Sequence, residues 1–460
     1  MASQVVVGVD FGSSRIKAAA YDAAGEMVAL EARETPVVRG AAGDDFPVLD
    51  LLAAAHDAVA ALRAGPVAAV GLTSMGETGT VVTPDGLAPL DFPAWYDDRG
   101  ADVATALEDR FGATHLRDLT ARHFRTTSTV TKLAHAHASR GCVPPGAFVG
   151  LCGALAFQLT GEVWQEAGLA TTSGVYDLLE RRYLSDAWVA AGLGHVTLAP
   201  VRPPGFGAPA DGELARSLGL SPGARVVIAG HDHPVAAVGS GVRVGEVFDS
   251  MGTGEAIIAA LPTDPPLTRA QLVAHLDRDT DLTFELWPST GAPLAVWERM
   301  RPGLAMRTFL DGADLDRQAL DDGAGPPSAT PDLTAADLGA LQEGRSAVGP
   351  RDAHAWGDLM DAYVLLANEG EALARAVSGA AGATVLTGGG LRSRRWREAK
   401  LALGPRAIEV STVPEAATRG CAAVAGASIG WWSGAEEMPG RTRVPVRSSR
   451  EMDAAVGATS

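Results

Sequence analysis

An apolar run, a glycine-and-hydroxyl turn and a second apolar run occur twice, once near the start of each half of the sequence. The first copy is Val5–Asp10, Phe11–Ser14 and Arg15–Asp22; the second is Val247–Met251, Gly252-Thr253-Gly254 and Ala256–Leu261. β-Branched runs broken by Gly and Ser read as strands joined by tight turns. Their recurrence predicts two related halves. Length agrees, because single cores stop growing near ~250–300 residues and this chain has 460.

Leu51, Leu52, Ala55, Val59 and Leu62 recur at helical spacing, which predicts a helix over Asp50–Ala64, closed by Gly65-Pro66. Val67–Thr73 reads as a strand, and helices are expected near Ala101–Arg110, Ser128–Arg140 and Gly146–Leu159. A strand at Ala224–Gly230 runs into His231-Asp232-His233. Residues 311–350 are rich in Asp, Gly, Ala and Pro and read as a surface excursion. A long helix at Ala353–Ser378, a strand at Ala383–Thr387, a helix from Ser393, a strand at Ala407–Val410 and a small-residue helix at Glu415–Trp431 follow. The polar last twenty residues read as a loose tail. This alternation of strands and helices predicts an α/β protein.

The net charge of −17 repels phosphate backbones and anionic membranes, which argues against both as partners. Any phosphorylated ligand must then be held by backbone N–H groups, a cation or a few local side chains. Cys142, Cys152 and Cys421 are too scattered for a disulfide framework or a zinc site, and read as small buried residues of a reduced compartment. Residues 4–10 read as a strand, not a secretory leader, and no apolar run reaches membrane-spanning length. A cytoplasmic protein is expected.

Five segments can carry chemistry. In Asp10-Phe11-Gly12-Ser13-Ser14-Arg15-Ile16-Lys17, the glycine lets the backbone turn while N–H and hydroxyl groups face a phosphate, and Asp10 is placed to hold Mg²⁺. The same residues also suit an ordinary hairpin. Gly252-Thr253-Gly254 has the same logic. Gly388-Gly389-Gly390 ahead of a helix permits close approach of a ring or phosphate. Asp232, after Gly230 and opening a helix, can orient a hydroxyl and take its proton, or simply cap the helix. A metal cluster of His231, Asp232 and His233 is a further alternative, although adjacent residues converge poorly on one ion. Met75-Gly76-Glu77, with Trp95-Tyr96-Asp97-Asp98-Arg99, offers carboxylates beside an aromatic, as a polyhydroxylated ligand requires.

In order and spacing these segments resemble the FGGY carbohydrate kinases. The likeness runs from Asp-x-Gly-Ser-Ser-x-x-Lys (10–17) through Gly76-Glu77-Thr78, Trp-x-Asp-x-Arg (95–99), Leu-Thr-Gly-Glu (159–162), Tyr176-Asp177-Leu178 with Trp188, and Gly-x-Asp (230–232). It continues through Gly-Thr-Gly (252–254), Gly-Gly-Gly-x-x-Ser (388–393) and Glu-Ala-x-x-x-Gly (415–420). The resemblance implies two actin-like, ribonuclease H-like domains flanking a cleft: residues 1–228 on the sugar side, 229–435 on the ATP side, and 436–460 as a tail. It further implies ATP and Mg²⁺ as cofactors and a small sugar or polyol as substrate. Asp232 would be the catalytic base and Asp10 the metal residue. Gly12, Ser13, Ser14, Lys17, Gly252, Thr253, Gly254, Gly388, Gly389, Gly390 and Ser393 would serve the nucleotide, and Met75, Glu77, Trp95, Asp97 and Asp232 the sugar.

The chain departs from the family at three places. Ala-Gly-His-Asp-His replaces the usual Gly-Gly-Gly-Asp-Asn, and the sugar loop has its own Met75-Gly76-Glu77 pattern. The second turn reads Gly-Thr-Gly-Glu instead of Gly-Thr-Ser-Gly, setting Glu255 beside an anion site. That carboxylate opposes ATP unless it points away or binds the metal. A nucleotide-binding protein of the same fold, or a sugar binder without kinase activity, is the alternative. Oligomeric state stays open, a homodimer included.

Overall fold

The computed structural model describes residues 4–457, except 142, 253, 312–314, 346–349, 405–406 and 441. Both repeated strand pairs form. In the first half, β1 (Val5–Phe11), β2 (Arg15–Tyr21), β3 (Met27–Glu34), β4 (Val67–Ser74), β5 (Gly207–Pro209) and β6 (Leu220–His231) make one sheet in the order β5-β6-β4-β1-β2-β3. In the second, β7 (Val247–Met251), β8 (Glu255–Ala260), β9 (Leu282–Leu286), β10 (Pro293–Met300), β11 (Thr384–Thr387), β12 (Ile408–Ser411) and β13 (Arg443–Val446) make another, ordered β9-β10-β8-β7-β11-β12-β13. Three antiparallel strands followed by two parallel ones recur: β3-β2-β1 then β4-β6, and β10-β8-β7 then β11-β12. The duplication read from two turns thus extends to five strands each, as two actin-like halves require.

The helices that matter for the site are α1 (Val48–Ala61), α2 (Asp232–Gly239), α3 (Ala353–Ser378), α4 (Arg394–Leu403), α5 (Ala416–Ser428) and α6 (Ser449–Gly457). One core covers the outer face of the first sheet beneath α1, and a second covers the outer face of the second sheet beneath α3. A third lies between the sheets and takes Val6, Ala69 and Val227 from one, Phe248 and Ile258 from the other, with α2 and α5 packed inside it. This explains the small residues of α5. Its backbone lies so close to the first sheet that a Cβ at Gly8 would collide with the Thr418 carbonyl, and one at Gly71 with that of Cys421. Although late in sequence, α5 therefore joins the halves at the floor of the cleft. Cys152 and Cys421 are buried free thiols; Cys142 lies outside the described residues.

Three expectations are corrected. Residues 146–160 are not one helix: Gly146–Gly150 is a strand paired with Gly79–Val82, and the helix starts at Leu151. Residues 311–350 are not only a surface excursion, since helices Arg317–Gly323 and Ala335–Gln342, N-capped by Asp316 and Thr334, put Leu320, Leu338 and Leu341 into the second core. Nor is the end of the chain loose. β13 adds an antiparallel edge to β12, Arg443 pairs with Glu246 at 2.6 Å and Glu409 at 3.0 Å, and α6 buries Met452 and Ala455. Polar composition there marks a thin outer layer that is anchored by a few buried residues, Val446, Met452 and Ala455.

Candidate active site

The β1–β2 turn and the β7–β8 turn face one cleft of about 410 Å³. Asp10, Gly12, Ser13, Ser14, Lys17, Met75, Glu77, Trp95, Asp232, Gly252 and Gly254 all line it, so residues up to 244 positions apart in sequence converge. Thr253 lies outside the described residues. Asp97, the three glycines at 388–390 and Ser393 do not line this cleft.

Asp232 opens α2 where β6 ends. Its Oδ1 accepts the His233 N–H at 2.7 Å and stands 3.3 Å from His231 Nε2. No donor among the described residues reaches Oδ2, and the carboxyl borders the cleft. Asp10, at the end of β1, has a buried Oδ1 with no partner among the described residues. Burial, then the neighbouring Asp232, pushes its carboxyl up to about 7, against the pull of Lys17. A buried, unpartnered carboxylate oxygen close to a second carboxylate fits a divalent cation, which would supply the missing partner and offset the repulsion. Lys17 pairs with Glu415 at 2.6 Å across the two halves, which locates the Glu-Ala-x-x-x-Gly segment against the first turn.

In the first half, burial pushes the Glu77 carboxyl up to about 7 although His231 and Arg122 pull it down. Trp95 has a buried indole N–H without a partner among the described residues, and Arg301 lies 5.7 Å over its ring. An aromatic face with a free donor suits a sugar's C–H surface and hydroxyl oxygen. Asp97 is turned away: Arg99 holds it at 2.6 and 2.9 Å and Lys132 at 3.0 Å. Burial would raise its carboxyl, but those bonds outweigh it and keep it below the usual range. The Trp-x-Asp-x-Arg segment is thus a self-bonded loop that presents Trp95.

The glycine run divides. Gly388 has φ +100 and a Cβ there would strike the Met251 carbonyl; one at Gly390 would strike the Trp396 ring, whereas Gly389 faces open space. Two of the three are explained by packing. Ser393 is fully buried as the N-cap of α4, accepting from the Trp396 N–H at 3.2 Å and donating to Asp321 at 3.0 Å.

Glu255 lines the cleft but is paired with a cation. It is buried against Lys400, 2.8 Å from the ammonium, which lies 2.5 Å from Asp249 on the other side. The two carboxyls sit on β7 and β8, flanking the Gly252–Gly254 turn, so the lysine ties its two ends together. Nor do His231 and His233 converge on an ion, because the rings are perpendicular, with His231 bonded to Glu285 and His233 to Ser250.

Sequence reasoning did not find Arg125, Thr127, Glu298 or Arg301, which also line the cleft, nor Arg122 and Glu285 behind it. Glu298 and Arg301 follow the apolar run 294–297, and a strand ending in charge was the available signal. Arg122 and Glu285 lie in no motif.

Glu166 is a buried neighbour with a consequence for stability. Its side chain N-caps the 167–171 helix, accepting from the Leu169 N–H at 3.0 Å, while Oε1 has no partner. Burial pushes the carboxyl from its ordinary 4.5 up to about 7. A raised carboxyl weakens the fold as pH rises through the unfolded value, fully so above the folded one. Glu166→Gln, which keeps the capping oxygen, is expected to melt above wild type at pH ~8 and close to it near pH ~4.5. Thermal scans at both pH values check this; an offset independent of pH would mean that Glu166 is ionised throughout.

The N-terminal-domain model of the FGGY family of carbohydrate kinases matches residues 5–239, and the chain belongs to that family. It is 26% identical over 271 residues to an L-fuculokinase of Salmonella typhi, a match spanning 56% of this chain and 57% of that protein. Among solved structures, a xylulose kinase from Rhodospirillum rubrum superposes with a TM-score of 0.78 at 17% identity, covering 99% of this chain and 96% of that one. Plasmodium falciparum glycerol kinase with ADP gives 0.77 at 12% identity, covering 99% and 97%. At such identities the likeness is one of fold. Among the described residues no helix is long and apolar enough to cross a membrane.

Proposed function

We propose that this chain transfers the γ-phosphoryl group of MgATP to a hydroxyl of a small sugar or polyol, in the cytoplasm and with no nucleic acid or membrane as partner. The observation that carries the reading is Asp232, whose Oδ2 meets no donor among the described residues, lining one cleft with residues of two glycine turns and with Asp10, whose buried Oδ1 likewise has no partner among the described residues. The sugar lies toward residues 1–228, against Met75, Glu77 and Trp95. The nucleotide lies toward residues 229–435, its phosphates between Gly12-Ser13-Ser14, with Lys17 beside them, and the backbone at Gly252 and Gly254. Gly389 is the one glycine of its run with open space for an adenosine. Ser393 acts from beneath, by fixing the start of α4, and Asp97 by fixing the Trp95 loop.

Asp232 Oδ2 accepts the sugar hydroxyl's hydrogen and aims its oxygen at the γ-phosphorus. As the new O–P bond forms, the bond from phosphorus to the β–γ bridging oxygen breaks. ADP leaves, and the hydroxyl proton resides on Asp232. Mg²⁺, held at Asp10, offsets phosphate charge when bound. Closure of the halves excludes water, so that sugar and not solvent is phosphorylated.

The test is ADP release from MgATP in the presence of glycerol, xylulose or fuculose, the compounds named by the relatives' own activities, or of gluconate, a sugar acid. Acceleration by at least one is expected. Flat release with MgATP bound would place the chain among partner-dependent nucleotide binders instead, and flat release without binding among sugar binders that have lost the reaction.

A further inference from the structure

Behind the proposed base lies a buried chain of charged groups. Arg122, which follows the 113–120 helix of the first half, donates to Glu285 Oε1 at 2.9 Å. Glu285, on β9 of the second sheet, holds His231 Nδ1 at 2.9 Å through Oε2. His231 Nε2 in turn stands 3.3 Å from Asp232 Oδ1. Glu285 is 1% exposed, Arg122 8% and His231 9%, so the Arg122–Glu285–His231 contacts are largely shielded from water. A ring with a carboxylate on each nitrogen is a double donor. Burial would lower the His231 pKa, yet Glu285 and then Asp232 outweigh it and hold it well above the ordinary value. The same contacts keep Glu285 below the usual carboxylate range despite its burial.

One hydrogen bond and one charge contact therefore meet on one oxygen of Asp232. The His233 N–H donates to Oδ1 at 2.7 Å and His231 Nε2 lies 3.3 Å from the same oxygen as a charge partner, while no donor among the described residues reaches Oδ2. A carboxylate held on one oxygen has a fixed plane, and phosphoryl transfer depends on how the acceptor hydroxyl is aimed. We propose that His231, clamped by Glu285, is a positioning residue that fixes Asp232 with Oδ2 toward the sugar hydroxyl. The inference rests on Asp232 being the base. The clamp draws on both halves, Arg122 from one and Glu285 from the other, so the aim of the base is tied to their mutual placement.

The test separates rate from binding, using whichever of glycerol, xylulose, gluconate and fuculose most accelerates ADP release. Glu285→Gln keeps an oxygen for Arg122 but removes the charge that fixes the ring; His231→Asn removes Nε2. Each is expected to lower kcat by roughly 10–100-fold with KM for ATP and sugar within about threefold of wild type. Added imidazole is expected to restore part of kcat to His231→Ala, whose vacated site borders the cleft, and none to Asp232→Asn. Should Glu285→Gln melt before assay, His231→Asn and the imidazole series carry the test. Turnover within about twofold of wild type in folded His231→Asn overturns the proposal. So does a loss confined to sugar KM, which would make His231 a sugar contact. Asp232→Asn run in parallel distinguishes the two readings. If it is active, the base assignment fails; if it is inactive beside an active His231→Asn, only the positioning role fails.

Discussion

Asp232→Asn is expected to lose roughly 10²–10⁴-fold in kcat while binding MgATP about as tightly as the wild-type chain. The substitution changes almost nothing in shape. An amide oxygen can still accept the His233 N–H that now reaches Oδ1 at 2.7 Å. What changes is the group facing the cleft, from a carboxylate oxygen able to accept a proton to an NH₂ that cannot. A carboxylate is a feeble base in water. Its value here is positional, so the whole effect should appear in turnover. Nucleotide affinity has no reason to fall, and removal of a charge beside Asp10 relieves a repulsion that raises the Asp10 carboxyl. Steady-state ADP release and calorimetric titration of MgATP on the same preparation read the two quantities. Normal turnover in the variant would remove Asp232 from the chemistry.

How far the sequence anticipates this site depends on whether a residue's role is local. The two turns, the long helix Ala353–Ser378 and Asp232 at the head of its helix were all legible, because strand-breaking glycines, 3.6-residue periodicity and cap chemistry act within a few residues. The structure gives Ala353–Ser378 those ends, with Asp352 capping at 3.0 Å and Gly379 closing in the left-handed region. Asp97 was legible as a motif but not as a direction. Whether a carboxylate faces a ligand or its own loop depends on Lys132, 35 residues on, whose ammonium meets it at 3.0 Å. Glu285 and Arg122 were illegible for the same reason at longer range, since each has meaning only against the other, 163 positions away. The small residues of α5 predicted a helix but not the close approach to Gly8 and Gly71, which only the stacking of two sheets demands. The polar ends of the second half hid packed elements because an edge strand such as β13 buries few of its side chains.

Glu255, the departure that most threatened a kinase reading, leads to the largest stability effect. Lys400 is 1% exposed in its side chain and lies between two buried carboxyls, 2.5 Å from Asp249 and 2.8 Å from Glu255. Burial alone would lower the lysine's pKa, but the two carboxyls outweigh it and raise it, so the ammonium is retained. Burial likewise raises Glu255 well above its ordinary range in spite of Lys400. Taking away the one cation leaves two desolvated carboxyls facing each other, and breaking a buried pair in this way costs about 3–5 kcal/mol. Lys400→Met, which keeps the apolar stem, is therefore expected to melt roughly 6 °C or more below the wild type. Glu255 flanks the Gly252–Gly254 turn from β8 and Asp249 from β7, so MgATP affinity should fall with stability. Lys400→Met/Glu255→Gln should recover part of both, because a neutral amide can hydrogen-bond to Asp249 where a second carboxylate repels it. Thermal melts and MgATP titrations of the single and double variants, read as a cycle, test the coupling. If Lys400→Met melts with the wild type, the triad does not hold the turn, and Glu255 is again a carboxylate that ATP must overcome.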